Sequence, residues 1–477
     1  MDLARKLAIA VSACGLVAGT AGTAALTSGV AAGAASKTTA GAGVIAQPDV
    51  LQMGTAHSGG PTTTKQCEQK FHLACYTVAQ LRQAYDLPAL YAKGITGKGT
   101  TIAIVDSYGS PTIKHDLGVF DRAFHLPAPP SFHIIAPSGK IPPFDKKNGG
   151  MVGWAVETTL DVEWAHAIAP GANILLVETP VNETEGVQGF PQIVSAERYV
   201  LMHYHVDVIS QSFSATEQTF PSKASINGLR LAILAADADH VTMLASSGDD
   251  GAANVELNGS TFYTHPTTNW ETSDPLVTGI GGTQLHLNAV GNRTAPDSVW
   301  NDTYSSAAQE FVCGKAGPCP SAGGGGLSVL FARPWYQNGV ADVVGNARGV
   351  PDISMSAACS GAVDLYASFP GLPAGGVWAQ NCGTSEATPE FAGIVALAAQ
   401  YAGHSLGLIN PALYQMSEAR DPGIVPVTTG NNTVTFKQNK HWYTVHGFHA
   451  QAIYSPAAGV GTINAYYFVP ELAALAG

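Results

Sequence analysis

The 477-residue chain carries 23 Lys and Arg against 35 Asp and Glu, a formal net charge of −12, and only 12% of its residues are charged. It has no Lys/Arg cluster beyond short pairs, so nucleic acid has no electrostatic footprint to follow and is set aside as a partner. The length allows one large domain or two to three smaller ones with an ample core. So sparse a charge set suits an acidic medium, where carboxylate ion pairs are lost.

In chain order, Arg5 and Lys6, the run LAIAVSACGLVAGTAGTAAL and the small residues around VAAGAAS at 30–36 read as an export signal over 1–36. The mature chain is therefore expected to be secreted and extracellular, with no membrane association once the signal is removed, because the Gly/Ala/Thr content after Val17 makes a poor span. Residues 37–66, rich in Ala, Gly, Thr and Ser, read as a flexible lead-in. Order is expected from near Cys67, as one domain over 67–477. Removing the signal leaves Cys67, Cys75, Cys313, Cys319, Cys359 and Cys382, and an even count in an exported chain points to disulfides. Pairing between sequence neighbours (67 with 75, 313 with 319, 359 with 382) is the simplest expectation, and the last pair would brace the loop before Ser385.

Apolar runs then recur between helical segments: TTIAIVDS at 100–107, ANILLVET at 172–179, VDVISQSF at 206–213, VTMLASS at 241–247 and LVTGIGGT at 276–283. Runs this apolar read as strands buried on both faces, which predicts an α/β fold with a parallel β-sheet flanked by helices on both faces.

Three segments carry candidate chemistry. Glu157 and Asp161 in AVETTLDVEWAHAIAPGA are four apart in a stretch with few helix breakers before Pro170, so they share a helical face, with Glu163 on the opposite side from Asp161. Like charges held that close resist double ionisation and can pass a proton to and from a hydroxyl; the alternative is a solvated face carrying scattered acids. SSGDDGA at 246–252 falls where a buried strand ends, making Asp249 a candidate, or else a turn residue satisfying local N–H groups. Gly383-Thr384-Ser385, followed by Pro389 and the apolar run FAGIVALAA at 391–399, sets a serine at the start of a buried helix. Its Oγ lies near first-turn N–H groups able to hold an oxyanion, and Pro389 fits a first turn, where a missing N–H costs little; an ordinary helix cap is the alternative.

These segments, with YTVAQLRQAYDLPALY at 76–91, VDVISQSF, GGGGLSVLF at 323–331, RGVPDISMSA at 348–357 and GLINPALY at 407–414, resemble the sedolisin family, the secreted serine-carboxyl peptidases of subtilisin-like fold, over nearly all of 75–470. The resemblance implies Ser385 as nucleophile, Glu157 as its general base, Asp161 as the carboxyl that holds Glu157, and Asp249 at the oxyanion site. It implies protein or peptide substrates cleaved at acidic pH through an acyl-enzyme. No cofactor enters this scheme, and a monomer is expected. A Glu base still works below about pH 5, where imidazole is mostly protonated.

The chain departs from the family pattern in three places. The lead-in is too short for the family's long folded pro-segment. The family's two calcium-binding Asp positions are Pro426 and Ser455 here, so weak or no calcium binding is expected, with Asp421 a doubtful substitute. Phe213 stands where the family often has Trp, a change expected to alter the cleft wall. Two other readings remain: a histidine-based subtilisin-type peptidase using Asp106 with His115 or His166, although its His-Gly-Thr segment is missing, and a secreted non-catalytic binding protein on the same fold.

Overall fold

The computed structural model describes the backbone of residues 51–57 and all of residues 59–313 and 318–476. The export signal read at 1–36 lies outside the described residues. The chain opens with β1 (Leu51–His57) and α1 (Thr64–Phe71). It continues through β2 (Thr101–Ser107), β3 (Phe132–Ile135), α2 (Gly149–Ile168), β4 (Asn173–Thr179), α3 (Phe190–His203), β5 (Val208–Gln211), β6 (Thr242–Ser246) and β7 (Thr278–Gln284). All five apolar runs thus become strands. They join one sheet in the order β7-β6-β5-β2-β4-β3, parallel throughout, with Ile102 of β2 level with Ile174 of β4 and Val208 of β5. A further strand, β8 (Ile353–Ser356), runs parallel to β7, and Ser298–Val299 pairs antiparallel with the end of β7 at Thr283 and Gln284.

Strand alternation splits the core in two. Ile102, Ile104, Ile174, Leu176, Val208 and Leu244 pack on the face shared with α2, whereas Ala103, Val105, Leu175, Val177, Ile209 and Met243 pack on the face shared with α3 and helix Leu231–Ala238. Covering both faces explains why the strands read as unbroken apolar runs. A second sheet is built from β1, Cys75–Tyr76, β9 (Ala362–Ala367) and β10 (Val377–Cys382), and β10 leads into α4 (Thr384–Ala402). Helix α4 packs tightly on α2. A Cβ on Gly393 would sit 2.7 Å from Ile168 Cβ, so only glycine permits this approach.

The lead-in reading at 37–66 needs correction over its second half. Residues 51–57 pair antiparallel with β10, Leu51 opposite Cys382 and His57 opposite Trp378, and α1 starts at Thr64 with a Thr63 capping box. An edge strand can be held by main-chain hydrogen bonds alone, so it needs none of the apolar periodicity that was absent from this segment. Cystines join Cys67 with Cys75, Cys313 with Cys319 and Cys359 with Cys382, the pairs expected from sequence order. Among the described residues no helix is long and apolar enough to cross a membrane.

Candidate active site

The chain crosses from one side of β2 to the other after β4, so the loops at the carboxyl ends of β2, β5 and β6 open a crevice where α/β folds hold ligands. Asp106 closes β2, Ser212 follows β5, and Asp249 follows β6. Helix α2 starts at Asn148, whose side chain accepts from Met151 N–H at 3.3 Å, and runs unbroken to Ile168. Glu157 and Asp161 therefore lie one turn apart, and Glu157, Asp161 and Glu163 are all fully buried, which rules out a solvated face. Glu163 takes no part in the cluster; it accepts from Tyr366 N–H at 3.0 Å.

Helix α4 starts from Gly383 at φ 127°, a left-handed backbone that favours glycine, and this puts Thr384 and Ser385 in its first turn. Pro389 falls beyond that turn, contrary to expectation. With no N–H it leaves the Ser385 carbonyl without its usual helical donor, a local loosening just behind the serine.

The Ser385 hydroxyl donates to Ser212 O at 3.4 Å, and the Ser212 hydroxyl donates to Asp161 Oδ1 at 2.8 Å. Asp106 lies beside Asp161 and the Thr158 hydroxyl. Burial pushes Asp106 up to about 7, and burial together with the neighbouring Asp106 charge holds Asp161 well above the ordinary carboxylate range. Two buried carboxyls this close resist ionisation, so the pair stays protonated through mild acid. On the other side of the serine, Asp249 Oδ1 accepts from Thr384 N–H at 2.8 Å and Thr384 Oγ1 at 2.9 Å, while Gly248 N–H donates to Thr384 Oγ1 at 3.1 Å. Ser385, Asp161 and Asp249 are thus joined through Ser212 and Thr384, with Glu157 one turn before Asp161 on α2. The histidines are elsewhere: His115 is exposed beside Asp116 at 3.1 Å, and His166, pushed down to about 4 by burial, meets Pro127 O at 2.7 Å.

Residues 149–417, more than half of the chain, match the model of the subtilase family, peptidase family S8. The chain belongs to the subtilase family. Its relatives include kumamolisin of Bacillus sp. (strain MN-32), 29% identical over 75% of this chain, sedolisin of Pseudomonas sp. (strain 101), 25% over 73%, and human tripeptidyl-peptidase 1, 27% over 65%. The matches cover 58%, 55% and 50% of those proteins, so this chain spans little more than half the length of the relatives it matches. The solved structure of Pseudomonas sedolisin, a serine-carboxyl proteinase in complex with two molecules of pseudo-iodotyrostatin, superposes with a TM-score of 0.67 at 23% identity, covering 84% of this chain and 99% of that one. Within the subtilases, the chain is a member of the sedolisin group.

Asp106, Thr158, Ser212 and Thr384 were not singled out from sequence as partners of the sedolisin-type cluster. The available signal was position: Asp106 and Ser212 are polar residues at the carboxyl ends of apolar strands. Phe213, next to Ser212, is buried, with its ring 6.0 Å from Trp154 and 6.4 Å from Phe190. The glycine run is packed against the chain itself: a Cβ on Gly324 would run into Ser247 O, and one on Gly325 into Pro456 O. Around the family's calcium positions the donors do not suit that ion. Pro426 and Ser455 supply no carboxylate, and Asp421 Oδ1 is engaged by Gly423 N–H at 2.7 Å.

Proposed function

We propose that the chain is a serine-carboxyl endopeptidase, exported and active in acid as a monomer on protein or peptide substrates. The observation that supports this reading best is the hydrogen-bonded series from Ser385 through Ser212 to Asp161, with Asp106 beside Asp161 and Asp249 on the adjacent Thr384. In this reading Ser385 Oγ attacks the scissile carbonyl while Glu157 takes its proton, and Asp161, on the same face of α2, positions Glu157. A protonated Asp249 and first-turn N–H groups of α4 stabilise the oxyanion. The proton then passes from Glu157 to the leaving amine, giving an acyl-enzyme that water cleaves with Glu157 again acting as base. The Asp106–Asp161 pair, protonated in acid, lies behind this relay without adding negative charge to it. No metal takes part in the chemistry, and we expect no structural calcium at Pro426 and Ser455.

The test is hydrolysis of a denatured protein near pH 4 by the wild-type chain and by Ser385→Ala. The reading requires cleavage by the first and none by the second. Equal turnover, or none from a folded wild-type chain, would favour the non-catalytic reading.

A further inference from the structure

From Pro422 to Pro470 the chain has no Asp or Glu, although acids outnumber Lys and Arg by 35 to 23 overall. The same stretch holds Lys437, Lys440, His441, His446 and His449, all exposed. None of the five forms an ion pair among the described residues. Its centre is a hairpin of β11 (Val434–Gln438) and β12 (His441–Val445), with Lys437 opposite Trp442 and Thr435 opposite Thr444. One face is buried: Val434, Phe436 and Val445 pack with Ala252, Ala253 and Ala322. The other carries Thr435, Lys437, Trp442 and Thr444; Trp442 is 59% exposed, Lys437 Nζ lies 5.9 Å from its ring centre, and the exposed Tyr304 reaches Thr435 Oγ1 at 3.2 Å.

The base of the hairpin is fixed to the crevice. Ala252 N–H, three residues beyond Asp249, donates to Asn432 O at 2.9 Å, and Asn432 Nδ2 donates to Gly325 O at 3.2 Å. A Cβ on Gly251 would lie 2.5 Å from Val434 Cγ1, so the loop that presents Asp249 and the hairpin are packed without a gap. The result is a rigid, cationic, aromatic ledge beside the candidate site on an otherwise acidic protein.

We propose that this ledge is an exosite that holds an acidic segment of the polypeptide substrate, outside the residues that flank the scissile bond. Lys437 and Lys440 meet its carboxylates, and Trp442 supports its backbone and apolar stems. The proposal rests on the peptidase reading, and the charge complementarity selects the occupant.

The test, run at about pH 5 where most Glu side chains are ionised, uses a cleavable core peptide, alone or joined by a flexible linker to a Glu-rich tail at either end, with the wild type, Lys437→Gln/Lys440→Gln and Trp442→Ala. Wild type is expected to favour one tailed peptide by about tenfold in kcat/KM, and the double variant or high salt (about 0.5 M) to remove the preference while leaving cleavage of the bare core unchanged. Trp442→Ala is expected to weaken the preference in the same way. No preference in the wild type, a preference retained by the double variant, or equal loss on bare and tailed peptides would overturn the exosite. If the folded wild type cleaves nothing, the peptidase reading has failed, and anisotropy of the labelled Glu-rich tail then decides the surface. Tail binding lost in the double variant supports an acidic-peptide site. Absent binding, or binding of neutral polysaccharide instead, refutes it.

Discussion

Replacing Glu271 with Gln should make the protein more stable at neutral pH and leave it unchanged in acid. Glu271 follows β6 in the chain and is fully buried; its carboxylate and that of Glu197 on α3 both accept from the side-chain amide of Gln211, that to Glu197 at 2.8 Å. Arg230 is paired with Asp274 at 2.8 Å, and the Asp274 charge opposes ionisation of Glu271. Burial is the main cause that raises Glu271 from 4.5 to about 8, and Glu197 is raised well above the ordinary range by burial and by Glu271. A carboxyl whose folded pKa is raised binds its proton more tightly in the native state. Its contribution is therefore complete below about pH 4.5, where both states are protonated, and is lost as pH rises toward 8. Between pH 4.5 and 7 the unfolded carboxyl ionises while the folded one does not, a span of 7 − 4.5 = 2.5 pH units at ~1.4 kcal/mol each, or roughly 3–4 kcal/mol. Glu271→Gln keeps an oxygen for the Gln211 amide and removes this loss. Urea unfolding followed by tryptophan fluorescence should give equal stability for wild type and variant near pH 4, and a gain of roughly 3–4 kcal/mol for the variant near pH 7. An equal change at both pH values would mean that packing, not ionisation, governs the site and would refute the reasoning.

Asp249→Ala removes the acceptor of Thr384 and the proposed oxyanion donor, and should lower kcat by about 10²–10³ with little change in KM, read from steady-state kinetics near pH 4. Asp106→Asn removes the charge that raises Asp161, so the alkaline limb of kcat/KM should move to lower pH; a profile from about pH 3 to 8 checks the direction. A chelator should leave the melting temperature unchanged at neutral pH, and a substantial fall would mean that a cation is bound despite Pro426 and Ser455.

The parallel sheet was legible because its strands are covered on both faces, so TTIAIVDS and ANILLVET are apolar with no alternation to confuse their type. The four candidate site residues could be named because each sits at a local signal: a helical i, i+4 pair, a strand end or a helix start. What links them could not be read. Asp106, Ser212 and Asp161 belong to three elements that meet only when β2, β5 and α2 pack, and no local pattern records that meeting. Strand β1 was missed because main-chain pairing with β10 demands little of its side chains.

The most direct test of the account is to quench a reaction near pH 4 in acid and locate the acyl group by peptide mass spectrometry. The account predicts a substrate-derived ester on Ser385, absent in Ser385→Ala and strongly reduced in Glu157→Gln. An acyl group elsewhere, or undiminished acylation in Glu157→Gln, would contradict a carboxyl-driven serine nucleophile.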